Sequence, residues 1–219
     1  VPTGGVQITK VTSAGATSDT LTTSELGVGL GGTEATVSDI LYDSTHNCFC
    51  VSGILAGGQY HITKLTTSFA ITSLLLSTTL YLVAVSEDGH TLYYISGGNV
   101  LKSITDIGDG NTVTTIYTYG SGAAYRGPAV MSQQSKSTIY NDSLYYTYST
   151  YIYKLSNLST TPVLSTISTG YNMAYSQLTI VSDTELYFYA NDEDNLVRGT
   201  YVNGAWVFDE VYDTNVADG

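Results

Sequence analysis

The chain has 219 residues, 42% of them hydrophobic, enough to build a substantial core in one domain. Charged residues make up only 12%, and 7 Lys plus Arg against 19 Asp plus Glu give a formal net charge of -12, which repels a phosphate backbone and excludes nucleic acid as a partner. Apolar runs such as Ile71 to Leu76 and Leu80 to Val85 fall far short of the ~20 residues of a membrane-spanning helix, so no membrane insertion is expected.

No charged and apolar leader opens the chain, which for an exported protein implies a numbering that begins after its removal. From there on, segments rich in Val, Ile, Thr and Tyr recur about every eight to twelve residues between Gly, Asn, Asp and Ser, the spacing of an all-β chain. Residues 1–32 hold two predicted strands, Val6 to Thr12 around Ile8-Thr9-Lys10-Val11, and Asp19 to Leu26. Residues 33–78 contain Cys48-Phe49-Cys50-Val51 and then Ile62-Thr63-Lys64-Leu65. Residues 79–121 contain Leu92-Tyr93-Tyr94-Ile95 and then Val100-Leu101-Lys102-Ser103. Residues 122–170 repeat the pair as Leu144-Tyr145-Tyr146-Thr147 and Ile152-Tyr153-Lys154-Leu155, and residues 171–213 as Leu186-Tyr187-Phe188-Tyr189 and Leu196-Val197-Arg198-Gly199. Residues 214–219 are a short tail.

Lys10, Lys64, Lys102, Lys154 and Arg198 thus occupy one position of a repeat, and they are most of the 7 basic residues in the chain. An apolar strand precedes each pair and another strand follows it. Four strands per ~40 residues make the blade of a propeller. The chain is therefore read as a single β-propeller domain, five-bladed with four-stranded antiparallel blades. Residues 1–32 are a half blade, the last two strands of a unit whose first two are missing. The tail could supply one strand to close the ring, the chain could be a fragment, or the propeller is open and another chain completes it. The third outcome follows from the unpaired N–H and C=O groups that an open β edge presents.

The stretch Val85-Ser86-Glu87-Asp88-Gly89-His90-Thr91-Leu92-Tyr93-Tyr94 resembles the Ser-Pro-Asp-Gly-x-x-Leu-Tyr-Val core of YVTN and TolB-like propeller repeats, with Asp88-Gly89 as the turn and Glu87 in place of the usual Pro. That resemblance implies a propeller architecture, a surface or periplasmic setting and adhesive, scaffolding or recognition roles. No catalytic residues come with it.

Candidate sites are few. Tyr145 to Tyr153 alternates so that Tyr146, Tyr148, Tyr151 and Tyr153 are expected to put several rings on the outer face, and with Trp206 they are candidates for stacking on glycans or packing into a subunit interface. Asp192, Asp194 and Asn195 cluster hard oxygen donors in one hairpin loop that could hold calcium, though the Gly and distal Glu of an EF-hand loop are missing. Apart from calcium no cofactor is indicated. Asn141 and Asn157 head glycosylation sequons. Cys48 and Cys50 lie two apart on one face of a strand, a geometry that disfavours a mutual disulfide, and read as small buried hydrophobes or as intermolecular disulfide partners. His46, His61 and His90 fit no closely spaced metal motif, and His46 and His90 read as solvated turn residues.

No Ser elbow, Cys and His pair or convergent carboxylates mark an active centre. The expected function is a non-enzymatic extracellular or virion-surface propeller with a structural, adhesive or recognition role, self-assembling through the incomplete blade. Its partners would be copies of itself, other surface proteins or glycans. A carbohydrate-active enzyme of the glycosidase or lyase type, with its site in the axial cleft, is the alternative.

Overall fold

A computed structural model describes residues 7–11, 13–43, 46–77, 80–97, 99–105, 112–120, 137–173, 178–190 and 195–213. Two strands open the chain, β1 (Gln7–Val11) and β2 (Thr17–Thr22), followed by the helix α1 (Thr23–Gly29). Four meanders follow. The first is β3 (Asp39–Asp43), β4 (Cys48–Ile54), β5 (Tyr60–Thr66) and β6 (Ile71–Ser77). The second is β7 (Leu80–Val85), β8 (Thr91–Ser96), β9 (Val100–Thr105) and β10 (Thr112–Thr118). The third is β11 (Thr138–Tyr140), β12 (Ser143–Tyr148), β13 (Tyr151–Ser156) and β14 (Val163–Ser168). The fourth is β15 (Leu178–Ser182), β16 (Glu185–Ala190), β17 (Asn195–Val202) and β18 (Ala205–Asp213).

Each meander is a four-stranded sheet in which neighbours in sequence are neighbours in the sheet, while β1 and β2 make a two-stranded sheet of their own. The turns show why short local connections suffice. Tyr140 pairs with Ser143 across Asn141-Asp142 at φ 46 and 52, and Val202 pairs with Ala205 across Asn203-Gly204 at φ 53 and 87. Positive φ at both central residues is what a two-residue hairpin with the right-handed strand twist demands, and Asn, Asp and Gly tolerate it best.

The chain divides into two compact units, Val1–Gly98 with Lys102–Thr115, and Asn99–Leu101 with Ile116–Gly219. In the first, Cys50 and Ile62 pack with Leu80, Leu82, Leu92, Tyr94 and Ile104, and a second cluster joins Val51, Leu55 and Leu65 to Leu26, Leu30 and Ala35. In the second, Tyr145 and Ile152 pack with Met173, Leu178, Leu186, Phe188 and Val197.

One expected strand is partly a helix. The reading of Asp19 to Leu26 as strand stops at Thr22, where a capping box begins: the Thr22 Oγ1 accepts from the Glu25 backbone N at 3.2 Å and the Glu25 carboxylate accepts from the Thr22 N at 2.9 Å. The Thr-x-x-Glu pattern satisfies two helix-end donors that a continuing strand would send elsewhere. Backbone and hydroxyl hydrogen bonds from Thr22 hold the Glu25 carboxyl below the usual carboxylate range. The helix turns Leu26, at 1% exposure, into the core cluster with Leu65 and Val51.

Gly53 in β4 is the tightest point of the first meander. A Cβ there would collide with the Thr36 carbonyl, to which the ring of buried His61 is hydrogen-bonded at 3.2 Å through Nε2. Gly53→Ala is expected to destabilise the protein by about 3 kcal/mol, the upper range for overpacking, and to lower the Tm by roughly 5–10 °C in a thermal melt.

Candidate functional site at the half blade

The residue pattern of β1 and β2 places Ile8 and Leu21 opposite each other, both partly buried against the cluster formed by Leu26, Leu30, Val51 and Leu65. This contact, with α1 wedged behind it, holds the hairpin on the first meander. A second tie is the Lys10 ammonium, which donates to the Thr67 carbonyl at 3.3 Å. Among the described residues β1 pairs with β2 alone, so its other edge carries no ladder, and Val11 at that strand's end is 59% exposed. Such an edge accepts an added strand through main-chain hydrogen bonds.

The repeated basic residue falls in the third strand of each meander, at Lys64, Lys102, Lys154 and Arg198. In the last two meanders it stands opposite the first Tyr of the second strand, Lys154 against Tyr145 and Arg198 against Tyr187. The Lys154 ammonium lies 5.2 Å over the Tyr145 ring, and the Arg198 guanidinium meets Glu185 Oε1 at 2.8 Å. The Tyr187 hydroxyl donates to the same Glu185 oxygen at 2.9 Å. These positions use the long stem to cover apolar surface and give the head a local partner. Glu185 was not legible as a partner, because it belongs to the strand before the basic one.

The aromatic candidates separate. Tyr148 and Tyr151 are exposed at 39% and 41%, but Tyr146 and Tyr153, expected on the outer face, are core residues at 0% and 4%. They stack on each other at 5.0 Å and 6°, and Tyr119 meets Tyr146 edge-on at 6.2 Å. The reason is that β12 is buried along both faces, so alternation of side chains does not bring every second ring to solvent. The hydroxyls of Tyr119 and Tyr146 have no hydrogen-bond partner among the described residues, and burial pushes both phenols far up. Trp206 is partly buried, stacked on Phe208 at 6.3 Å and tilted against the exposed Tyr201 at 5.5 Å.

Asn141 and Asn157 lie in exposed turns, and their sequons meet. The Ser159 Oγ donates to Asp142 Oδ2 at 2.7 Å, while Ser143 Oγ is buried and donates to the Asn141 carbonyl at 3.2 Å. Asp192 and Asp194 lie outside the described residues; Asn195, the first residue of β17, is buried with its Oδ1 unpartnered among them. Among the described residues no group of three or more His, Cys, Asp or Glu side chains is arranged to hold a metal ion.

Cys48 and Cys50 are free and buried at 6% and 1%, as small buried hydrophobes are, which corrects the alternative reading as intermolecular disulfide partners: neither sulfur is open to a second chain. Burial pushes the Cys50 thiol up to about 12, and burial and then the neighbouring Asp43 raise Cys48. Both thiols are expected to be inert to Ellman's reagent in the native protein at pH 8 and to react fully in guanidinium.

His61, at 0% exposure, donates from Nε2 to the Thr36 carbonyl at 3.2 Å and accepts at Nδ1 from the Thr63 hydroxyl at 3.0 Å. Burial lowers its pKa, only partly opposed by the Thr36 carbonyl. The folded value lies below the unfolded one, so the unfolded chain takes the proton first. The stability conferred is complete above the ordinary histidine value of ~6.5 and is lost as pH falls through the folded value. Thermal melts are expected to show Tm falling from pH 7 to pH 5, with a shallower fall in His61→Gln.

Four blades of four antiparallel strands, each with a basic residue in its third strand and three of them with a Tyr-rich second strand, define a β-propeller repeat protein. No family model matches the chain and no curated protein matches it in sequence. Solved structures do match in fold. KlAtg21, in complex with the coiled coil of AgAtg16, is 15% identical with a TM-score of 0.58 over 94% of this chain and 64% of that one. The β-propeller domain of Cps50 (Swd1) from Myceliophteria thermophila is 6% identical with a TM-score of 0.55 over 84% of this chain and 59% of that one. The chain spans less than two thirds of the length of either.

Proposed function

We propose that the protein is a non-enzymatic recognition and scaffold propeller of an extracellular or virion surface, and that it assembles by completing its half blade with strands from another copy of itself. The observation that carries this reading is the contrast between four four-stranded sheets and one two-stranded sheet whose β1 edge has no partner among the described residues. A hairpin alone is marginal in water, so the contacts of Ile8 and Leu21 preserve an edge that a further strand would stabilise. The exposed Val11, Tyr148, Tyr151, Tyr201 and Val202 add apolar and aromatic surface suited to protein contacts. The solved neighbour KlAtg21 is in complex with a coiled coil, which supports a protein as the partner class. The hairpin of Val85 to Tyr94 supports the YVTN or TolB-like assignment: the Asp88 carboxylate accepts from the His90 N at 3.1 Å and Gly89 takes φ 73, as that repeat's Asp-Gly turn implies.

Assembly is expected to appear as a rise in weight-average mass with concentration in light scattering. Thr9 and Lys10 are neighbours in β1, so one sends its N–H to β2 and the other to the open edge. Thr9→Pro and Lys10→Pro should therefore differ: one lowers the Tm, while the other keeps it and abolishes the mass increase. A wild-type protein that stays a monodisperse monomer at all concentrations sinks the proposal.

A further inference from the structure

Two turns from successive blades of the first unit bring the rings of His46 and His90 together. They are 44 positions apart in sequence and belong to different hairpins, yet their ring centroids are 5.1 Å apart with 71° between the planes. Their accessibility was expected; their meeting was not.

A carboxylate in each turn bonds the histidine there, through the ring and backbone of His46 and through the backbone of His90. Asp43, the last residue of β3, has a side chain 1% exposed and accepts from the His46 backbone N at 3.1 Å and from His46 Nδ1 at 2.7 Å. A carboxylate only accepts, so Nδ1 carries a proton and Nε2 is the ring nitrogen left to face a ligand. The His46 side chain is 35% exposed. In the other turn, Asp88 Oδ1 accepts from the Ser86 hydroxyl at 2.5 Å and from the His90 N at 3.1 Å, which fixes the backbone that carries the exposed His90. Lys64 lines the same recess as Asp43 and His90, and its charge is set against the Asp43 carboxylate, leaving the imidazoles as the donors.

The spacing suits a shared ion. Two imidazole nitrogens at about 2.1 Å from one metal, at a near-tetrahedral angle, put their ring centres about 5 Å apart. A carboxylate behind the ligating histidine is the usual arrangement that fixes the tautomer and strengthens the ligand. We infer that His46 and His90 form a two-imidazole site for a divalent first-row transition-metal ion, with Asp43 as the positioning carboxylate and water in the remaining coordination positions. Among the described residues no group of three or more metal-ligating side chains is present, so the site offers two protein ligands.

The test is calorimetric titration of the full chain with zinc chloride and, separately, copper chloride in a non-chelating buffer at pH 7.5. One saturable ion per chain is expected, together with shifts of the His46 and His90 ring signals in nitrogen-15 NMR spectra. His46→Gln and His90→Gln, both surface changes, should each weaken binding by about 100-fold or more, and Asp43→Asn, which offers a donor to Nδ1, by about 10- to 100-fold. Should Asp43→Asn fail to fold, the two histidine variants decide alone. No saturable binding by the wild type, or unchanged affinity and stoichiometry in both histidine variants, overturns the inference.

Discussion

The architecture depends on strands that are buried on both faces. Along β8 the four central residues are all buried, and along β12 the first five of six are. A single blade cannot hide such strands, because a sheet in isolation leaves at least one face in water. Stacking supplies the cover: Cys50 and Ile62 of one blade meet Leu80, Leu92 and Ile104 of the next, and Tyr145 and Ile152 meet Leu186, Phe188 and Val197. Each unit of the repeat is thus stable only against its neighbours, as in other repeat architectures.

The same constraint explains where polarity goes. The fourth strands, β10 and β14, face solvent over most of their length. Between the wet fourth strand and the dry second strand lies the third, which carries one basic residue per blade; Lys154 finds a Tyr ring there and Arg198 a carboxylate. Exposed ion pairs of this kind contribute little to stability, so the position matters for covering apolar surface more than for charge. The hairpin of β1 and β2 obeys the same logic in reduced form. Its Ile8 and Leu21 reach the first blade's core only because α1, stopped from continuing β2 by its capping box, inserts Leu26 and Leu30 beside them.

Much of this was legible along the chain. Leu-Tyr-aromatic segments and basic segments fall in the second and third strands of the meanders, and the hairpin at Asp88-Gly89 has the turn its sequence implies. Local rules carry these features: period-two alternation, turn residues that accept positive φ, and strong β-formers. The helix α1 was missed although Thr22 and Glu25 spelled its start, because the neighbouring strand pattern was extended through it. Tyr146 and Tyr153 were misplaced for a different reason: alternation tells which residues share a face, not whether that face is covered. His46 and His90 were read correctly as turn residues, but nothing in their spacing showed that two turns would converge.

The sequence by itself determined the strand composition and the four-strand repeat, since backbone propensity, turn chemistry and hydrophobic period act over a few residues. Tertiary structure alone decided which tyrosines are dry and that Asp43, His46 and His90 lie together. Those outcomes depend on which blade faces which. That is set by long-range packing, for which a linear pattern holds no coordinate.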